Sequence, residues 1–271
     1  MKTQRKYAGT ERYPVIAWQR TGSGPAFVLL HGFPENGDLW SGIVPALAPH
    51  FTLIIPDLPG AGESTYAGPH LTMEDMAAQV AEILRLEEIP EAVIAGHSMG
   101  GYTAMAFADR YPGKVTGLAL VHSGAHADDE QKKETRSKSI ALLRKGGKDA
   151  FVRQMIPGLF SAGYRAAHPG VVARQTERGL QLDAGAMIAF YEAMMSRPDR
   201  TEVLRRAAFP VQWIIGREDT TTPAAQALQQ AAMPDVSFIA LYEDCGHMSM
   251  FEQPAQLAGD LLEFGRYGNN R

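Results

Sequence analysis

Short apolar runs punctuate the chain at Ala26–Leu30, Leu53–Ile55, Ala92–Ala95, Leu118–Val121, Val211–Ile215 and Val236–Leu241. Each is followed closely by Gly, Pro, His, Ser or Asp. Continuous apolar runs predict strands covered on both faces, which belong to parallel sheets with helical crossovers. Between them the period changes to that of a helix. Met73, Met76, Val80, Ile83 and Leu84 make one stripe of Thr72–Glu88, and Thr72 with Asp75 forms a capping box. Ser98–Arg110, Pro223–Ala232 and Pro254–Phe264 read as further helices. Tyr13–Arg20 reads as an additional strand, paired antiparallel with Lys6–Thr10. Together these predict a doubly wound α/β fold around a mostly parallel sheet of about eight strands.

The alternation stops between Gly124 and Ala208. Asp128–Arg144, Asp149–Ile156 and Asp183–Met195 carry helical patterns with no strand between them. The expected organisation is therefore one core domain, residues 1–123 and 209–271, with residues 124–208 inserted as a helical cap. Apolar cap residues Phe151, Met155, Phe160, Phe190, Tyr191 and Met194 predict an apolar pocket for an uncharged acyl or alcohol portion. Of these, Phe190, Tyr191 and Met194 are taken as substrate-binding. The Arg-rich stretch Arg197–Arg206 is expected to be a solvated helix face.

Composition narrows the function. Among 271 residues, 26 Lys and Arg stand against 30 Asp and Glu, which is not the basic excess of a nucleic-acid binder. The one cysteine, Cys245, permits neither an internal disulfide nor a zinc cluster. No apolar run is long enough to span a bilayer, and the basic opening Met1–Lys6 is not followed by a signal-type apolar stretch. A cytoplasmic protein acting on a small molecule is expected, without nucleic-acid or membrane partners; oligomeric state is not legible. Gly22–Pro25 precedes a strand, so it is a turn and not a dinucleotide-binding loop.

The chemistry concentrates at Gly96-His97-Ser98-Met99-Gly100-Gly101, between a predicted strand and a predicted helix. Gly-x-Ser-x-Gly in that setting is a nucleophile elbow. A strained turn lifts the Ser98 hydroxyl clear of the sheet, small residues at 96 and 100 avoid collisions, and a helix N-terminus favours developing negative charge. A serine hydroxyl needs a base, and the base needs an orienting carboxylate. The chain order Ser, Asp or Glu, then His selects Asp219, beyond Val211–Ile215, and His247, beyond Val236–Leu241. Glu218, Asp128 and Asp129 remain alternative acids, whereas Glu243 and Asp244 sit too close before His247. His31 and His97 are expected to pack near the site, and His122 and His126 to bond loops or touch substrate. The loop His31-Gly32-Phe33-Pro34 aims the Phe33 N–H at the same point as the Met99 N–H.

On these segments, together with Asp57–Ser64, Gly216–Asp219 and Cys245–His247, the sequence resembles the α/β-hydrolase fold superfamily over essentially its whole length. The resemblance implies a Ser98–His247–Asp219 triad, with Phe33 and Met99 as oxyanion donors. It implies cleavage of carboxylic esters through an acyl-enzyme, with no cofactor and no metal. Asp57–Ser64 is similar to a family turn that shapes the sheet edge without catalytic duty. The same scaffold serves enol-lactonases, carbon–carbon bond hydrolases, cofactor-free haloperoxidases and perhydrolases, and a non-catalytic ligand binder is the rival outside enzymes. Serine rather than aspartate at position 98 sets aside the haloalkane dehalogenases and epoxide hydrolases of this fold.

Overall fold

A computed structural model describes residues 3–68 and 70–269. Its strands are β1 (Gln4–Ala8), β2 (Ile16–Gly22), β3 (Ala26–Leu30), β4 (Thr52–Pro56), β5 (Ala92–His97), β6 (Val115–Val121), β7 (Val211–Gly216) and β8 (Ser237–Tyr242). They form one sheet in the order β1-β2-β4-β3-β5-β6-β7-β8. Both pairings of β2 are antiparallel, and every pairing from β4 to β8 is parallel. β4, β5 and β7 are buried along their whole length, as their predominantly apolar composition requires. β8 departs from this pattern: it is the edge strand, most of its residues are half-buried, and Ile239 is 53% exposed, while Tyr242 at its end is buried.

The helices before β6 are α1 (Val44–Leu47), α2 (Met73–Leu86) and α3 (Met99–Arg110). α2 starts where its capping box sits: the Asp75 N–H donates to Thr72 Oγ1 at 3.1 Å, and the Thr72 N–H donates to Asp75 Oδ2 at 3.0 Å. Between β6 and β7 the chain is helical: α4 (Glu130–Arg144), α5 (Lys148–Met155), α6 (Ala162–Ala167), α7 (Pro169–Gly179), α8 (Ala184–Ser196) and α9 (Thr201–Arg205). The last three are α10 (Ala224–Ala231), α11 (Ser249–Glu252) and α12 (Pro254–Gly268). No helix of the described residues is long and apolar enough to cross a membrane.

One expectation fails in this helical segment. Arg197–Arg206 is not a solvated helix face, because α9 covers only part of it and two of its arginines are buried. Arg197 ion-pairs with Asp128 at 2.8 Å, and its guanidinium carbon lies 3.8 Å from the centre of the Tyr102 ring. Arg200 pairs with Glu74 and Asp109. These contacts fasten the end of the insertion to α2 and α3.

Candidate active site

β5 delivers Ser98 to the C-terminal side of the sheet, and α3 begins at the next residue. Ser98 takes φ 50° and ψ −114°, a region that costs a non-glycine residue about 1–3 kcal/mol. Hydrogen bonds to its main chain hold it there: its N–H donates to the Val121 carbonyl at 3.0 Å, and its own carbonyl accepts from Gly101 N–H at 2.9 Å and from the Ser123 hydroxyl at 2.8 Å. The flanking glycines are steric necessities. A Cβ on Gly96 would overlap the Gly100 carbonyl, and one on Gly100 would overlap the Leu30 carbonyl of the neighbouring strand. The Ser98 hydroxyl has no hydrogen-bond partner among the described residues, and Ser98 lines a cavity of about 510 Å³ together with His247.

The turn after β7 carries Asp219, and the loop after β8 carries His247. His247 Nδ1 donates to Asp219 Oδ2 at 2.7 Å, with both residues buried. Asp219 Oδ1 accepts the main-chain N–H groups of Thr221 and Thr222 at 2.8 and 2.9 Å. Oδ2 also accepts from the Thr222 hydroxyl at 2.8 Å and from His122 Nδ1 at 3.2 Å. Burial opposes ionisation of Asp219, yet His247 and His122 outweigh it and hold the carboxyl well below the usual range. Burial likewise pushes His122 and His97 down, so both are neutral. His97 Nε2 donates to the His247 carbonyl at 2.9 Å, and the His247 N–H donates to the Leu159 carbonyl at 2.7 Å. Glu252 on α11 accepts the N–H groups of Gly246, Met248 and Ser161. The histidine loop is thereby pinned to both the core and the helical insertion.

The alternative acids lie elsewhere. Glu218 is exposed. Asp128 is engaged by Arg136 and Arg197, Asp129 caps α4 by accepting the Lys132 N–H at 2.7 Å, and Glu243 pairs with Arg217. His31 is a turn residue: Nδ1 donates to the Gly32 carbonyl, and Nε2 accepts the Leu58 N–H. His126 faces Asp199 at 3.0 Å in an exposed pair. Sequence reasoning missed His122 and Thr222 as partners of the acid, and Glu252 altogether. A histidine directly after a central strand was the available signal for the first. His122, Asp219 and His247 also bring ligand-capable atoms within 4.8 Å of one another. A cation there would have to replace the hydrogen bonds that already converge on Asp219 Oδ2.

The N–H groups of Phe33 and Met99 donate to no protein group among the described residues. Tyr191 and Met194 line the cavity, as does the Phe33 side chain. Phe190 does not: it is fully buried and packs edge-on to Phe33 at 6.3 Å between ring centres, behind the wall. Nor is the wall wholly apolar, because the α4 cap Asp129 and the α4 residues Lys132 and Arg136 contribute to it.

Just past Phe33, Glu35 is 5% exposed, and its Oε1 lacks a hydrogen-bond partner. Burial pushes this carboxyl up to about 7, against the pull of Arg178. A folded value above the unfolded one contributes stability that is complete below pH ~4.5 and lost as pH rises through ~7. The whole span amounts to about 3 kcal/mol. Glu35→Gln should therefore flatten the fall in Tm of the wild type between pH 5 and pH 8. Parallel melting curves for the two proteins across that range would contradict this.

Comparison with known proteins follows the same lines. Residues 25–145 match the α/β hydrolase fold family. An esterase from Thermogutta terrifontis, solved with malate bound, superposes with a TM-score of 0.90 at 30% identity, covering 98% of this chain and 99% of that one. An uncharacterised protein of Mycobacterium tuberculosis is 30% identical over 91% of this chain and 76% of its own length. The pimeloyl-[acyl-carrier protein] methyl ester esterase of Vibrio vulnificus is 29% identical over 92% of this chain and 97% of its own length.

Proposed function

The chain belongs to the α/β-hydrolase fold family and is an enzyme of its esterase type, and we propose that it cleaves carboxylic esters through an acyl-enzyme on Ser98. His247 Nε2 takes the hydroxyl proton as Ser98 Oγ attacks the carbonyl, then gives it to the departing alcohol. The N–H groups of Phe33 and Met99 receive the oxyanion. Water, deprotonated by the same imidazole, clears the acyl group. Asp219 keeps the proton on Nδ1 and offsets the imidazolium charge. The observation that carries this reading is the buried Asp219–His247 pair at 2.7 Å, in the wall of the cavity that Ser98 also lines. A fluorophosphonate should add once, at Ser98, and remove turnover of p-nitrophenyl acetate in proportion. Full activity in the labelled protein would overturn the reading.

In the same reading residues 124–208 form a cap that selects substrates while the triad supplies chemistry. Tyr191→Ala and Met194→Ala should each change the ratio of kcat/KM for a bulky and a small ester, with little effect on the small one. Phe190→Ala, whose side chain is packed behind the wall, should instead lower stability by roughly 3–5 kcal/mol. Equal losses on both esters in the Tyr191 and Met194 variants would make those residues structural.

A further inference from the structure

Arg136 lies on α4 with its side chain 18% exposed, on the wall of the cavity that holds Ser98 and His247. Its Nε donates to Asp128 Oδ2 at 2.6 Å, and its guanidinium carbon lies 5.3 Å from the centre of the Tyr191 ring. These two contacts fix the plane of the group. Its two terminal nitrogens have no hydrogen-bond partner among the described residues. One turn earlier Lys132 lines the same cavity, and no carboxylate pairs with its ammonium among the described residues. The carboxylates nearby are already committed. Asp128 is shared between Arg136 and Arg197, and Asp129 caps α4. Arg136, Arg197 and Lys132 against Asp128 and Asp129 leave one positive charge in surplus.

Elsewhere the wall mixes apolar side chains, Phe33, Met155, Leu159, Tyr191 and Met194, with uncharged polar ones such as Thr135, Ser139 and Gln226, and it offers no further carboxylate to this charge. Asp128 engages this guanidinium only through Nε, so its terminal donors and the Lys132 ammonium stay available to an anion entering the cavity. Arginine's planar fork suits a carboxylate in particular.

We propose that the ester taken by this site is a half-ester of an aliphatic dicarboxylic acid. Its scissile carbonyl sits at Ser98, its methylenes run along the apolar side chains of the wall, and its free carboxylate meets the terminal nitrogens of Arg136. Lys132 adds attraction from the neighbouring turn. The inference rests on the esterase reading above and replaces the uncharged substrate that the apolar stripe predicts. Water adds across the acyl C–O bond. The products are an alcohol and a dicarboxylate, the new carboxyl releasing its proton to solvent.

The test compares monomethyl glutarate, adipate and suberate with the corresponding dimethyl esters, with p-nitrophenyl acetate reporting general esterase competence. At the best chain length the half-ester should lead in kcat/KM by roughly 10- to 100-fold, through KM more than kcat, and the lead should shrink in high salt. Adipate should inhibit p-nitrophenyl acetate turnover competitively. Arg136→Gln should bring the ratio close to parity and weaken adipate inhibition, whereas Arg136→Lys should keep part of both. A purely structural arginine would lower Tm and leave the ratio unchanged. If Arg136→Gln fails to fold, Lys132→Gln and the salt dependence of wild-type inhibition carry the test. An enzyme that turns over p-nitrophenyl acetate but uses diesters as well as half-esters overturns the inference and leaves the esterase reading standing. Protein inactive on every ester overturns the esterase reading. Direct calorimetric binding of adipate then decides the carboxylate site, and no binding overturns that too.

Discussion

Ser98→Ala is expected to lower the chemical rate on p-nitrophenyl acetate by up to about 10⁶-fold, leaving a small residue of catalysis above background. The alanine removes the atom that the proposed mechanism acylates, and no other serine has the same setting. Ser123, the nearest by sequence and bonding, spends its hydroxyl on the Ser98 carbonyl at 2.8 Å. Ser249 is fully buried. The elbow itself should survive, because its geometry is held by main-chain bonds and by glycine packing rather than by the Ser98 side chain. Tm should therefore stay near the wild-type value or rise slightly. In the proposed mechanism, what remains in the variant comes from the N–H groups of Phe33 and Met99 and from substrate positioning, neither of which requires a nucleophile. Pre-steady-state measurement of p-nitrophenolate release checks this. An Ser98→Ala protein that is within about tenfold of wild type on purified, contaminant-free material would remove Ser98 from the mechanism.

Most of the sheet was legible because its central strands obey one rule: both faces are covered, so nearly every position is apolar. Leu53–Ile55 and Ala92–Ala95 carry that rule openly, Val211–Ile215 breaks it only at the buried Gln212, and the glycines of Gly96–Gly101 are fixed by contacts within a few residues or with the adjacent strand. Helix starts were legible for the same local reason. Thr72, Asp129 and Asp183 each accept main-chain N–H groups where their helices begin. What sequence could not convey are contacts made across the fold. Arg197 and Arg200 look like surface charge until Asp128, Tyr102 and Glu74 are brought to them by other elements. Phe190 and Tyr191 are neighbours on one helix, yet a rotation of about 100° per residue sends one behind the wall and the other onto it. His122 was visible as a residue near the site, but its side chain turns to Asp219 because its backbone adopts φ 49° at the end of β6. α6 is six residues with none buried, and the buried face of α7 is Val172, Gln175, Thr176 and Gly179, so neither shows an apolar stripe and neither was foreseen.

Asp219→Asn is expected to reduce kcat by roughly 10⁴-fold with little change in KM. The surrounding hydrogen bonds decide which way the new amide faces. Oδ1 accepts two main-chain N–H groups, from Thr221 and Thr222 at 2.8 and 2.9 Å, and main-chain donors cannot rotate away. The asparagine oxygen must take that place, which leaves its NH₂ group where Oδ2 now accepts His247 Nδ1 at 2.7 Å. An N–H facing an N–H forces the imidazole to accept at Nδ1 and to carry its proton on Nε2. In that tautomer the base cannot take the Ser98 proton. The same NH₂ group also confronts His122 Nδ1, now 3.2 Å from the carboxylate, and would force that ring's own proton from Nδ1 to Nε2, which is buried without a partner. A loss of stability should therefore accompany the loss of rate, and Asp219→Ser, which leaves room for water, should be the better folded of the two. Glu218→Gln changes an exposed side chain and should behave as wild type in both respects. Steady-state kinetics and thermal melts on the three variants decide the matter. A large defect in Glu218→Gln with a mild one in Asp219→Asn would assign the acid to the wrong residue.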